Sequence, residues 1–509
     1  MSKETIAKNT IFLYFRMILT MLVTLFTSRV ILQVLGVEDF GIYQAVGGVV
    51  ALLSFLNTAL SAGSSRFLTF ELGKKDLLKL RQTFSSILIV HTILGVGIVF
   101  LAETAGLWFI QHKLIIPADR FDAAITAYHF SVLTIFFSIT QVPYNAAIIS
   151  HEKMAIYAYL SILEVILKLA IVYLLLIASW DKLKVYAILL CIVQIGIALS
   201  YRLYCKIKFS ECHGKVTFDS TIVKSILKFS SWNLLTNTAA VGVMHGTTVL
   251  INIFFTPGIV AARAIANQVN GAANQLVQNF RNAVNPQIIK KFANDDIDGS
   301  KKLLLASTKI SFFLMLFLCI PICFEAETLL RLWLKIVPDT SVPFLRLILI
   351  TTLFQTISQS FYTALSAKGQ IRENAISTST IGFCTLFIIY ILFKIGFSPI
   401  SLAWSILIEE AILALLVKPF LVVKIANYKW EEIANVFVTC FKVSITAIIL
   451  PLVFFVSSIY NELNEFIRFS TTVLLSTLSI IFSTWFFGLD SESKKFILQI
   501  FRKMMNRSK

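Results

Sequence analysis

Charge is scarce in this chain: 14% of its 509 residues are Asp, Glu, Lys or Arg, where a soluble domain carries about 25%. With 57% hydrophobic residues and a mean hydropathy of +0.81, too little charge remains to cover a water-facing surface, and a soluble fold is excluded. No stretch is free for a sizeable soluble domain, because apolar runs of about 20 residues, each able to cross roughly 30 Å of hydrocarbon, recur along the whole sequence. The alternating ten-residue pattern of a membrane β-barrel is missing, which leaves helices as the only way to satisfy the backbone in lipid. Of seven cysteines, Cys191, Cys319, Cys323, Cys384 and Cys440 lie inside apolar runs and Cys205 and Cys212 on the cytoplasmic side. None sits in an outer loop, so no disulfide framework is indicated, and no ligand-spaced Cys/His set suggests a metal or other cofactor.

What the chain does contain reads as an all-α polytopic membrane protein with fourteen spans, at about 9–32, 40–63, 83–109, 122–150, 154–178, 185–208, 225–254, 257–287, 303–327, 342–367, 374–397, 401–426, 433–458 and 466–488. The first follows Lys3 and Lys8 as a signal peptide would, but it is too long, contains Arg16 and Arg29 and lacks a small-residue cleavage site, so it is expected to stay in the protein. Of 45 basic residues, 29 fall in segments on one side, Lys418 among them, and 8 on the other. By the positive-inside rule both termini are cytoplasmic, and most of the net charge of +17 is topology.

The two halves match weakly at a shift of about 218 residues. Tyr144-Asn145-Ala146 corresponds to Tyr362-Thr363-Ala364, Gly41 to Gly258, and the Lys74-Lys75 loop to that of Lys301-Lys302. The expected organisation is a first six-helix lobe at 1–208, a cytoplasmic linker at 209–224, a second six-helix lobe at 225–426, and two extra helices with a basic cytoplasmic tail at 427–509. Both copies then sit the same way up, and transporters with this plan carry substrate at the interface of the halves.

The eighth span is the most informative. At 100° per residue, Arg263, Asn267, Asn270, Asn274, Gln278, Arg281 and Asn285 fall within an arc of about 80°, and Gln268, Gln275, Asn279 and Asn282 widen that side to about half the circumference. Ile265, Val269, Ala272, Leu276, Phe280 and Val284 lie opposite. An interfacial helix would have a polar side rich in Lys and Arg; here it is mostly amide. Amides pair with sugar hydroxyls through donors and acceptors together, without the desolvation cost of a charge. Amides that glue helices across an interface account for one or two of them. Weaker stripes occur in the seventh span (Asn233, Asn237, His245, Thr248, Asn252) and the tenth (Thr352, Gln355, Gln359, Tyr362, Ser366), where helix packing and cavity lining are equally good readings.

Charges within spans each need a reason, at about 2.5–3.5 kcal/mol on insertion scales. Arg263 and Arg281 are five turns apart, about 27 Å, on one side of their helix, which suits an anion passed between them; the alternative is that both snorkel to headgroups. Arg16 and Arg29 are about 140° apart, so at most one faces a common cavity in a straight helix. Glu164 and Lys168 are spaced to neutralise each other, a structural pair more than a proton site. Glu409 and Glu410 lack an intrahelical partner in the sequence; these two, with Glu164, are the candidates for ion coupling. The single intramembrane histidines, His91, His129 and His245, suit polar packing.

The run Thr27 to Tyr43, the tetrapeptide Asn252-Ile253-Phe254-Phe255, and the stretch from Ala261 to Gln287 ending Asn285-Pro286-Gln287 resemble bacterial oligosaccharide flippases of the Wzx type, within the multidrug/oligosaccharidyl-lipid/polysaccharide exporter superfamily. The resemblance covers nearly the whole chain. It implies a multi-pass inner-membrane protein that moves an undecaprenyl-pyrophosphate-linked repeat unit, as in O-antigen or lipopolysaccharide synthesis, by alternating access. It also implies basic cavity residues that meet the pyrophosphate, for which Arg16, Arg29 and Arg263 are candidates. Expected partners are the lipid-linked oligosaccharide, membrane lipids, and polysaccharide polymerase or chain-length proteins; nucleic acid is not among them. Two competing readings are an ion-coupled drug or lipid exporter of the same superfamily and a membrane glycosyltransferase or polymerase with Glu38-Asp39 as a catalytic acid. The first lacks the Asp or Glu used for cation coupling in spans one and seven. The second has outer connections of only about 15 residues from which to build an acceptor site.

Overall fold

The computed structural model describes residues 3–52, 76–151, 153–213 and 217–489, together with 64, 67–68, 71–72 and 494; the side chains of 3–18, 225–240 and some single positions lie outside the description. Every described element is helical. In chain order these are α1 (Lys3–Leu52), α2 (Leu77–Leu101), α3 (Leu107–Lys113), α4 (Phe121–Ser150), α5 (Met154–Ile177), α6 (Lys182–Lys208), α7 (Ser220–Phe254), α8 (Pro257–Ala293), α9 (Ile297–Phe324), α10 (Ala326–Trp333), α11 (Ser341–Lys368), α12 (Arg372–Ile395), α13 (Ser401–Ile412), α14 (Lys418–Ala426), α15 (Trp430–Val456), α16 (Ser458–Glu462) and α17 (Glu465–Ser483). One-turn π segments join α2 to α3 and α13 to α14, and another follows α17.

Among the described residues, ten helical stretches are long and apolar enough to cross a membrane, and the chain is a multi-pass membrane protein. The other four expected spans are residues 40–63, described only as far as 52, and the helices α7, α8 and α13–α14. In α8 the amide stripe itself lowers the hydropathy.

The few acidic residues are placed where helices begin. Asp76 accepts from the Lys79 amide, Asp181 from Leu183 and Lys184, Asp219 from Thr221 and Ile222, and Asp296 from Gly299. Each satisfies orphan N–H groups of a first turn and meets the positive end of the helix dipole. In α1 the helix bends at Gly36, whose φ of +80° is open to glycine at little cost. Gly41, just past the bend, lies against the start of α8: a Cβ there would stand 1.9 Å from the Pro257 carbonyl oxygen. The glycines matched by the repeat, Gly41 and Gly258, thus bring two helix starts together.

The chain divides into two compact units: residues 1–264, 334–339 and 382–399 form one, and 265–333, 340–381 and 400–509 the other. The core of unit one packs Ile42, Val46, Ala123, Ala124, Ala127 and Leu183 around Tyr128, whose hydroxyl donates to the Ala102 carbonyl at 2.6 Å, where the π segment begins. A second cluster holds Leu80, Phe84, Tyr144 and Tyr201. In unit two, Phe361, Ile320, Val422, Ile433 and Val443 pack α9, α11, α14 and α15 together. There the fully buried Glu325 side chain accepts from Thr328 and Thr472, each at 2.8 Å, and stands 3.9 Å from Arg468, which lies over the Tyr460 ring. This network fastens α17 to the end of α9.

In unit one, Arg120 joins three segments. Its Nε and Nη2 donate to the two oxygens of Asp39 at 2.7 and 2.5 Å, and Nη1 and Nη2 to those of Asp181 at 2.6 and 3.2 Å. Burial disfavours the ionised Asp181, but the Arg120 guanidinium and the Leu183 and Lys184 amides outweigh it and hold the carboxyl below its ordinary range. A carboxyl lowered on folding stabilises above its unfolded value, and that contribution disappears as pH falls through the folded one. Arg120→Gln is therefore expected to cost about 1–3 kcal/mol at neutral pH in unfolding measured in detergent micelles. The wild-type advantage should shrink below about pH 4; an undiminished advantage there shows that the link is not ionic.

Candidate substrate-binding site

The polar side of α8 begins in unit one with Arg263, which is 7% exposed. Its Nη1 donates to Thr248 Oγ1 at 2.8 Å and its Nη2 to Thr247 Oγ1 at 2.6 Å. Thr247 spends its own proton on the Val243 carbonyl, at 2.8 Å, which turns the lone pairs of its hydroxyl toward the guanidinium. Among the described residues no carboxylate pairs with Arg263, so a buried cation is held by neutral oxygens alone. His245 is half-buried on the same helix as the threonines and lies within reach of the Arg263 charge. Asn252 is structural, since its Oδ1 accepts from the Ile115 amide at 3.2 Å.

The remainder of the stripe belongs to unit two, where it meets α11. Thr352 donates to Asn270 Oδ1 at 2.8 Å, and the Gln359 Oε1 accepts from Gln278 at 2.9 Å and from Arg281 Nη1 at 2.5 Å. Arg281 is 7% exposed, and its Nε is buried without a hydrogen bond. Three members of the stripe are thus engaged in helix-to-helix bonds. Between them Asn267 is exposed, while Asn274 and the facing Gln355 are half-buried, all three with no hydrogen bond among the described residues. The buried line of α8 is Ala262, Ile265, Ala266, Val269, Ala273 and Val277, and Leu276 is 53% exposed. It is rotated about 30° from the expected apolar side, because small residues let a neighbour approach closely while Leu276 is free to meet lipid.

Of the other sequence candidates, Arg29 is half-buried with no partner among the described residues, and the side chains of Arg16 and Asn237 lie outside them. Glu164 and Lys168 form the spaced ion pair at 2.6 Å. Glu409 is 8% exposed and Glu410 half-buried.

Lys418 needs a correction. Assigned from sequence to a cytoplasmic segment, it opens α14, is 4% exposed, donates to Asn374 Oδ1 and stands 5.7 Å over the Tyr362 ring. Pro419 looks like a helix end but occupies the first turn, where a missing N–H leaves nothing unpaired. A polar line on α15 was also missed. Asn435, Thr439, Lys442 and Thr446 recur at helical spacing, and Asn435 and Lys442 are exposed; counting the 3.6-residue period through that span finds it. Among the described residues no group of His, Cys, Asp and Glu is arranged to hold a metal ion, and all seven cysteines are free.

No family model matches the sequence, and no curated protein matches it significantly. Solved structures do share its fold. The lipid II flippase MurJ, in an inward closed conformation, superposes with a TM-score of 0.72 at 14% identity, over 94% of this chain and 98% of that one. An inward-facing multidrug resistance MATE family transporter of the MOP superfamily gives 0.66 at 16%, over 81% and 98%. A MOP superfamily transporter from Pyrococcus furiosus gives 0.55 at 14%, over 84% and 97%. The chain has the fold that these flippases and exporters share.

The accessibility of the stripe can be measured directly. In a variant freed of native cysteines, Asn267→Cys and Asn274→Cys are expected to react with a membrane-impermeant thiol reagent, and Val277→Cys to resist it. Equal protection of all three rules out a water-accessible side on α8.

Proposed function

We propose that this protein is a flippase that moves undecaprenyl-pyrophosphate-linked oligosaccharide repeat units from the cytoplasmic to the outer leaflet of a bacterial inner membrane by alternating access. It would use fourteen helices in two parallel six-helix lobes plus two C-terminal helices, with both termini cytoplasmic. The observation that carries the reading is Arg263: a buried guanidinium bonded only to two threonine hydroxyls, at the head of an amide-rich helix, in a fold shared with a lipid II flippase. A buried cation without a counter-ion is strongly unfavourable, so an anion that reaches it is bound with that deficit relieved. The pyrophosphate supplies the anion. Sugars suit the unbonded amides of Asn267, Asn274 and Gln355, and the candidates named from the sequence also include Arg16, Arg29, Arg281, Gln359, Asn237 and His245.

The polyprenyl tail can remain in an apolar environment. In unit two a cavity of about 750 Å³, lined mainly by Ile449, Leu450, Leu478, Phe482, Phe486 and Phe487 of α15, α17 and the following π segment, is chemically suited to it. Polysaccharide polymerase or chain-length proteins are the partners such a step would serve. A multidrug exporter of the same fold is the alternative, but a stripe of amides and two arginines is a poor match for lipophilic cations, and the first and seventh expected spans, 9–32 and 225–254, contain no Asp or Glu. An enzymatic role finds no support in the folds it resembles.

The decisive assay is translocation of lipid-linked oligosaccharide in vesicles. Arg263→Ala is expected to abolish it and Arg263→Lys to retain part, since an ammonium keeps the charge but loses the planar fork. Equal activity in wild type and both variants would remove Arg263 from the site.

A further inference from the structure

Lys442 stands near the middle of α15, between Trp430 and Val456. A hydrocarbon core of roughly 30 Å centred on this helix puts the residue about 13 Å from the nearer boundary, farther than a lysine stem can carry its ammonium by snorkelling. The side chain is exposed, and among the described residues nothing bonds its ammonium. At 100° per residue, Asn435, Thr439, Lys442 and Thr446 fall within an arc of about 60°. Val438, Ile445, Ile449 and Val453, all exposed, lie within about 60° of Lys442 on the same side. That surroundings of exposed valine and isoleucine suits lipid or another membrane helix, not a cavity for sugar or phosphate. The polar groups left unused on this side are donors. Asn435 Oδ1 accepts from Thr439 at 3.3 Å, and Thr446 spends its proton on the Lys442 carbonyl at 2.8 Å, which leaves the Lys442 ammonium and the exposed Asn435 amide N–H groups.

We propose that this side of α15 docks a transmembrane helix of another protein, one that carries an Asp or Glu near mid-membrane, and that Lys442 pairs with that carboxylate. The inference does not depend on what the protein transports. An ionised side chain inside a span is costly and is found paired, and here the charge and the donors around it select the partner: it must bring a negative charge and hydrogen-bond acceptors. Asn435 lies two turns from Lys442 toward the start of α15, about 10 Å along the axis, so a second acceptor on the partner helix belongs at that offset. Lipid phosphates lie at the membrane surfaces, out of reach of this depth. A second copy of the chain is a poor match, because no carboxylate near the middle of a described span is exposed. Glu164 is half-buried and bonded to Lys168 at 2.6 Å, Glu409 is buried, and Glu410 is half-buried.

The test places the full-length protein, donor-labelled, in phosphatidylethanolamine and phosphatidylglycerol vesicles with an acceptor-labelled synthetic peptide, a membrane-length helix of leucine and alanine with one central glutamate. The control peptide has leucine in place of the glutamate. Energy transfer should show the glutamate peptide binding about tenfold more tightly than the control. Lys442→Met should bring the two peptides to equal affinity, and Lys442→Arg should keep the preference. Equal binding of both peptides to wild type, or a preference that survives Lys442→Met, overturns the proposal. In the protein freed of native cysteines, Lys442→Cys should be protected from a membrane-impermeant thiol reagent; reaction puts the position in water and overturns the docking reading. Energy transfer between donor- and acceptor-labelled copies of the protein, lost in Lys442→Met, makes a second copy the occupant and overturns it as well.

Discussion

A helix of membrane length with eleven polar residues along one side can exist only where something other than lipid meets that side, and much of the molecule is arranged around that condition. In α8 the condition is met in three ways at once. Asn270, Gln278 and Arg281 are bonded to α11, Arg263 is bonded to α7, and Asn267, Asn274 and Gln355 retain hydrogen-bonding capacity that nothing in the described chain uses. The bonded members hold the helix in place, and the unbonded ones are those we propose a ligand uses. Amides do both without the desolvation penalty that would attend a carboxylate or an ammonium in each of those positions.

The scarcity of acids has a parallel logic. Asp76, Asp181, Asp219 and Asp296 cap helices at the ends of spans, and Asp39 and Asp181 close on Arg120 where partial hydration lowers the cost of burying charge. Glu325 is fully buried, and it is surrounded by two threonine hydroxyls and Arg468. Among the described residues, Arg263 and Arg281 are buried guanidiniums bonded only to neutral oxygens.

The helical class, the approximate spans and the amphipathic character of α8 were legible because each is a matter of composition and period. So was the Glu164–Lys168 pair, whose partners are four residues apart. The signals that escaped depend on a local departure from period or on long separation. Lys418 was counted with the basic residues of one side although it falls inside the expected span 401–426, and a π-turn leaves no mark in a run of Leu, Ala and Val. Arg120 was read as a topology residue because its acids are 81 and 61 positions away. The stripe of α8 was legible as polar but not as divided between helix bonds and free amides, since that division is decided by α11.

Arg263 and Arg281 therefore need not be equivalent, though the sequence places them on one line. Thr247 donates to the Val243 carbonyl while it accepts from Arg263, so its own proton stays satisfied whether or not the guanidinium is engaged. Gln359 Oε1 accepts from both Arg281 and Gln278, so the amide pair stays bonded whether or not Arg281 is engaged. Arg281 is tied to the packing of α8 on α11, and Arg263 to the hydroxyls of α7. The two cations at the ends of the stripe differ in what holds them, two hydroxyls for Arg263 and one amide oxygen for Arg281.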